Sequence, residues 1–369
     1  VSFPISFTSK FFNLPLVIYE NNMVLGRANK FLSSFSKKIL IAKKITINFP
    51  EKYEIYQRAI TNETTLIPSG KDETNDIYKF RPRPVDLTKK GFYIGSAGFN
   101  FKDWVGRFYP PKFSNSKLLD FYQQYFRFVE LDCVHQTKLR AFFEEIAKQS
   151  SGNICYGIRA PRELSTPSDF KKESGIVRMK HFLSELSPLV ECGRVYSVLF
   201  QVSSDWARTQ ERLDYLCATA RIALDLRVDV HFEFRNRSWH EYQVLDVMRN
   251  KGIGICNTEV PSVRAFPCRP YRTTEKGYFR YLGKNYGSWK KLGWKKNPHE
   301  RTTQKEELFD YLYKESEVQE KVIDQIKLSK KVSAQAVVFC NCTRAQSVVN
   351  SVQNIQQLQN YFDIQKITY

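Results

Sequence analysis

Val228-Asp-Val-His-Phe-Glu-Phe-Arg-Asn-Arg-Ser-Trp239 alternates apolar and polar residues up to Phe234 and then breaks into Arg-Asn-Arg-Ser. A period of two sends successive side chains to opposite faces of a strand. Apolar residues at helical spacing follow over 242–248, and Ile253-Gly-Ile-Cys256 is another short apolar run. Strand, helix and strand in that order make a β–α–β unit, whose two strands run parallel because the helix crosses back between them.

The same unit repeats on both sides. Upstream, residues 91–95, 128–131, 154–158 and 195–200 read as strands, and 117–125, 139–146, 179–189 and 213–224 as helices. Downstream, 277–282 and 335–339 read as strands, 306–330 as one long, partly charged helix and 345–358 as a closing helix. About eight such units over roughly 270 residues predict an α/β fold, a TIM-barrel-like parallel (β/α) barrel, with an open parallel sheet as the competing arrangement.

Residues 1–88 differ. Up to Pro50 they carry Lys10, Arg27, Lys30, Lys37, Lys38, Lys43 and Lys44 against the single acid Glu20, with no sustained period. A polar, turn-rich stretch (68–76) and Arg81-Pro-Arg-Pro84 follow, where proline disfavours helix. The predicted organisation is a basic, largely irregular N-terminal extension over 1–88 and the barrel over 89–369. The first residue is Val1 rather than Met. A removed leader ahead of a basic chain leads us to expect the mitochondrial matrix.

The 369 residues carry 57 Lys and Arg against 38 Asp and Glu, a formal net charge of +19, which favours anionic partners. No run of eighteen apolar residues is present, so no membrane-spanning helix is predicted. The eight cysteines include no C-x-x-C pair, and the Cys340-x-Cys342 pair has no second pair or nearby histidine to complete a tetrahedral zinc site. They read as buried, reduced thiols. P-loop, nucleophile-elbow and H-E-x-x-H patterns are also absent.

Several strand ends carry recognisable blocks. Gly95-Ser-Ala-Gly98 is followed by Trp104 and Phe108-Tyr-Pro110. Then come Phe128-Val-Glu-Leu-Asp132, Ile158-Arg-Ala-Pro161, Leu199-Phe-Gln-Val202, Phe232-Glu-Phe-Arg-Asn-Arg-Ser-Trp239, Tyr278-Phe-Arg-Tyr-Leu-Gly283 and Phe339-Cys-Asn341, with Ala345 and Asn350. In order and spacing they resemble the YecE-like family, called domain of unknown function 72, over about residues 91–362. The Glu-Phe-Arg-x-x-Ser-Trp block is the most specific. The resemblance implies a barrel of the triosephosphate-isomerase type and no settled activity.

It also exposes departures. Asp132 stands where relatives usually have asparagine, and Val134 and His135 replace an aromatic pair. Arg159 replaces a lysine, Asn236 a histidine, Glu259 an aspartate, Leu282 a histidine and Cys340 an asparagine. All lie at or near the C-terminal ends of predicted strands, where barrel enzymes place their chemistry.

A polar ring of Glu130, Asp132, Arg159, Gln201, Glu233, Arg235, Glu259, Arg280 and Asn341 is expected at that end. Its carboxylates and guanidiniums either form a site, with Glu130, Glu233 or Glu259 as base and Arg159 and Arg235 as anion clamps, or satisfy one another. Arginine does not give up its proton near neutral pH, and the matching histidines are gone. The expectation is therefore a barrel without catalytic residues, cofactor or metal. The remaining histidines, His135, His181, His231, His240 and His299, have no ligand-spaced partners and read as ordinary.

Residues 271–305 are strongly basic, with ten cations against Glu275 and Glu300, and interleaved with aromatics including Tyr286, Trp289 and Trp294. Cations neutralise phosphates while rings stack on bases. Lys284, Lys290, Lys291, Lys295 and Lys296, with Lys37, Lys38, Lys43 and Lys44, are the candidate contacts to nucleic acid or another anionic partner. The function expected is a non-catalytic structural subunit of a large mitochondrial assembly, first a ribosomal protein contacting rRNA and neighbouring proteins. The alternatives are a respiratory-complex subunit, an active barrel enzyme on a phosphorylated or nucleic-acid substrate, and a free RNA-binding protein.

Overall fold

The computed structural model describes residues 17–20, 38–41, 85–133, 138–152, 154–260, 270–288 and 308–368. The chain divides into two units, Val1–Gly70 and Lys71–Tyr369. In the first, two short strands, Val17–Glu20 and Lys38–Ile41, pair in parallel. The lack of a sustained period gives no sign of them.

The second unit is a closed barrel of eight parallel strands. They are β1 (Phe92–Ser96), β2 (Phe128–Asp132), β3 (Cys155–Arg159), β4 (Val195–Val202), β5 (Val230–Phe234), β6 (Gly254–Glu259), β7 (Lys276–Tyr281) and β8 (Ala334–Phe339). Each pairs with the next, and β8 closes on β1 with Gln335 opposite Phe92 and Phe339 opposite Ser96. The open sheet is thereby excluded. Leu87 is already buried in the core just ahead of β1.

The helices whose bounds lie within the described residues are α1 (Leu118–Tyr125), α2 (Leu139–Gln149), α3 (Arg162–Ser165), α4 (Lys172–Glu191), α5 (Gln210–Asp225), α6 (Tyr242–Lys251), α7 (Glu315–Ser329) and α8 (Gln346–Thr368). Two differ from the sequence reading in ways that physics explains. Of the segment expected to be helical over 306–330, Glu315–Ser329 forms helix α7. The backbone N–H of Lys314 donates to Glu317 Oε2 at 2.9 Å, a cap that sets the first turn there. Helix α4 starts seven residues earlier than expected and tolerates Pro188 within it. Proline cannot donate to the carbonyl four residues back, Ser184, and Arg140 Nη1 takes that carbonyl instead at 3.0 Å.

Side chains fill the barrel interior. Phe128, Tyr196, Leu199, Cys256, Tyr278, Ala336 and Val338 form a buried lumenal cluster separate from the layer between strands and helices. Space for the rings comes from glycine. A Cβ on Gly157 would meet Tyr278 Oη at 2.2 Å and Phe128 Cζ at 2.8 Å. Gly157→Ala is therefore expected to cost about 2 kcal/mol by overpacking, read as a lower urea midpoint at unchanged slope. Tyr278→Phe in the same chain, which removes the clashing oxygen, should lower that cost.

His231 is also lumenal. Its Nε2 donates to the Lys276 carbonyl at 3.0 Å, so Nδ1 accepts from Ser197 Oγ at 2.7 Å. Burial depresses its pKa to about 4. The unfolded chain, with an ordinary histidine, then binds the proton more readily than the fold. Stability from this group is complete above about pH 6.5 and lost as pH falls toward 4, by about 3 kcal/mol. A denaturant-midpoint series from pH 7 to 4, flattened by His231→Gln, checks this.

Candidate functional site

The C-terminal mouth is built on alternation. Glu130 and Asp132 on β2, Arg159 ending β3, Gln201 on β4, Glu233 and Arg235 at β5, and Arg280 on β7 share the inward register. Arg280, 2% exposed, forks between two buried carboxylates. Its Nη2 donates to Glu130 Oε1 at 2.8 Å and its Nη1 to Glu233 Oε2. Tyr278 Oη donates to Glu130 Oε2 at 2.9 Å. Arg235 Nε holds Glu233 Oε1 at 2.5 Å. With its amide oxygen turned inward, Gln201 accepts from Arg280 Nη1 and Arg235 Nη2, both at 2.8 Å.

Burial raises the Glu233 carboxyl, but the Arg235 and Arg280 guanidiniums outweigh it and hold the pKa at about 2. A carboxylate so firmly ionised is a poor proton acceptor near neutral pH. At the rim, Arg159 Nη2 lies 2.6 Å from Asp132 Oδ2, with the two side chains 23% and 44% exposed.

Glu259 and Asn341 do not join this network. Cys256 of β6, Val260 just after it and Cys340 after β8 belong to the lumenal cluster, so alternation turns their neighbours outward toward α7 and α8. Glu259 accepts from Tyr313 Oη at 2.7 Å and Lys321 Nζ at 2.8 Å. Asn341 donates to the Tyr311 carbonyl at 2.7 Å and to Asn350 Oδ1 at 2.8 Å. Lys321 escapes a reading of the sequence, since nothing marks it among the charges of α7. It is buried, its ammonium 4.6 and 4.5 Å from the Tyr281 and Tyr313 ring centres. Burial lowers its pKa despite the Glu259 carboxylate. Tyr278 escapes it too, although its place two residues before Arg280 puts it on the same face.

The Glu-Phe-Arg-x-x-Ser-Trp block divides in two. Glu233 and Arg235 belong to the mouth. Asn236 caps the following turn by accepting from the Ser238 N–H at 2.9 Å, and Trp239 stacks on Phe234 at 4.9 Å while donating to the Trp206 carbonyl at 2.8 Å. Trp104 has a similar role at the seam between first and last strands, donating to the Cys342 carbonyl at 2.7 Å.

These blocks recur in known proteins. The family described as "Protein of unknown function DUF72" matches residues 93–367. The chain belongs to this family. The UPF0759 protein YunF of Bacillus subtilis is 25% identical over 280 residues, 72% of this chain and 94% of that one. A DUF72 family protein of Thermotoga maritima superposes with a TM-score of 0.61 at 27% identity, covering 73% of this chain and 99% of that structure. A stretch of 45 residues is also 47% identical to part of a UDP-N-acetylglucosamine–N-acetylmuramyl-(pentapeptide) pyrophosphoryl-undecaprenol N-acetylglucosamine transferase of Rickettsia felis, spanning only 12% of that enzyme.

Among the candidate anionic-partner contacts, Lys284 is committed within the DUF72 barrel, donating to Glu317 Oε1 at 2.8 Å. The side chain of Lys38, and Lys37, Lys43, Lys44, Lys290, Lys291, Lys295 and Lys296, lie outside the described residues. So do His135, His299 and Cys268. The seven described cysteines are free thiols; six are buried or half-buried, while Cys192 is exposed, contrary to the expectation of burial. Among the described residues no His, Cys, Asp and Glu cluster has metal-site geometry, and no helix is long and apolar enough to cross a membrane.

Proposed function

We propose that this DUF72 barrel is non-catalytic and serves as a structural subunit of a larger assembly. Its basic N-terminal arm and the basic, aromatic stretch 271–305 would be the contacts to RNA and neighbouring proteins. The observation that carries the non-catalytic part is the Arg280 fork, which commits Glu130 and Glu233, two of the three candidate bases, to permanent cations. The third, Glu259, is engaged by Tyr313 and Lys321. The net charge of +19 supports an anionic partner. The mitochondrial ribosome is the specific assembly this reading names. YunF and the Thermotoga maritima protein are bacterial, and the following experiment holds for any compartment.

Tagged full-length chain, isolated from its own cells at low salt, should elute in a large, nuclease-sensitive particle and be released from it at high salt. Elution as a single chain free of nucleic acid at low salt would overturn the assembly reading.

A further inference from the structure

Arg159 at the end of β3, Gln201 one residue before the end of β4 and Arg235 just past the end of β5 lie on three adjacent strands and face inward at the rim of the mouth. A guanidinium carries five N–H donors. Arg235 spends Nε on Glu233 and one Nη2 hydrogen on Gln201, and Arg159 meets Asp132 through Nη2. Among the described residues no acceptor is placed on Arg235 Nη1 or on Arg159 Nε and Nη1. Their side chains are 18% and 23% exposed, so these donors lie at the edge of solvent. Arg235 is also held in place, because Glu233 beneath it is fully buried.

We propose that Arg159 and Arg235 form a two-armed site for the oxyanion of a small molecule, a phosphate monoester or a carboxylate. Asp132, 44% exposed, is the internal carboxylate that occupies one edge of Arg159 and competes with the ligand. Two forks meeting one oxyanion give paired, charge-assisted hydrogen bonds. The carboxylates beneath are already committed to cations, so this site holds its ligand and moves no proton. It goes beyond the assembly reading and stands without it, since neither residue belongs to the basic arm or to 271–305.

Calorimetric titration of the full-length chain with inorganic phosphate, and separately with acetate, tests it. Saturable one-to-one binding of one of the two is expected, and which one binds names the oxyanion. Arg159→Gln should weaken it roughly tenfold. Asp132→Asn, removing the competitor, should tighten it roughly fivefold, the worth of a half-exposed ion pair. Lys331→Gln, ahead of β8 at the opposite end of the barrel, should leave it unchanged and so excludes diffuse attraction to a basic surface. Arg235→Lys, with a melting curve to confirm folding, should also weaken it. Binding of neither anion overturns the proposal, as does unchanged affinity in Arg159→Gln or no tightening in Asp132→Asn. None of these results bears on whether the chain enters a particle.

Discussion

Arg280→Met is expected to cost the folded barrel about 4 kcal/mol, a large share of the stability margin of an ordinary domain. The substitution removes a guanidinium that is 2% exposed and leaves Glu130 and Glu233, 3% and 0% exposed, facing each other's charge without their shared cation. Burying an unpaired carboxylate is far more costly than never having had the pair. Guanidinium-chloride unfolding, followed by tryptophan fluorescence, measures the loss. Arg280→Lys should fall between the two, because an ammonium keeps the charge but cannot present two parallel edges to two carboxylates. Adding Glu130→Gln to Arg280→Met should recover part of the loss by removing one of the stranded charges. A wild-type midpoint for Arg280→Met would mean that these groups are hydrated in solution and that the mouth is open.

Trp104→Ala is expected to cost a similar amount, about 3–5 kcal/mol, for a different reason. Trp104 is fully buried, stacks on Phe101 at 4.9 Å and bonds the carbonyl of Cys342 beyond the last strand. Alanine would leave both a cavity and an orphaned carbonyl at the seam where β8 meets β1. Trp104→Phe separates the two contributions. It keeps much of the volume and loses the N–H, so only about 1 kcal/mol should go. Thermal melts of the three proteins side by side decide it. Equal losses in Ala and Phe variants would place the whole effect in the hydrogen bond.

Both residues belong to blocks that are conspicuous in the chain itself, yet their roles separate only in three dimensions. The Glu-Phe-Arg-x-x-Ser-Trp run is continuous along the backbone. Its glutamate enters the lumen while its tryptophan packs between loops, because a strand ends between them at Phe234. Glu259 and Asn341 read as mouth residues because each sits at a strand end. Which face each strand presents depends on its register, and a one-residue difference reverses it.

The amino-acid order by itself determined the repeating β–α pattern, the parallel sense of the strands, the family blocks and the replacement of proton-handling residues at strand ends. Those are local properties, set by periodicity and side-chain chemistry. Only the tertiary structure decided that the sheet closes, that Arg280 reaches across to carboxylates 150 and 47 positions earlier, and that Lys321 is drawn into the Glu259 corner. Pairing between distant charges depends on which strands become neighbours around a closed ring, and no local pattern along the chain encodes that.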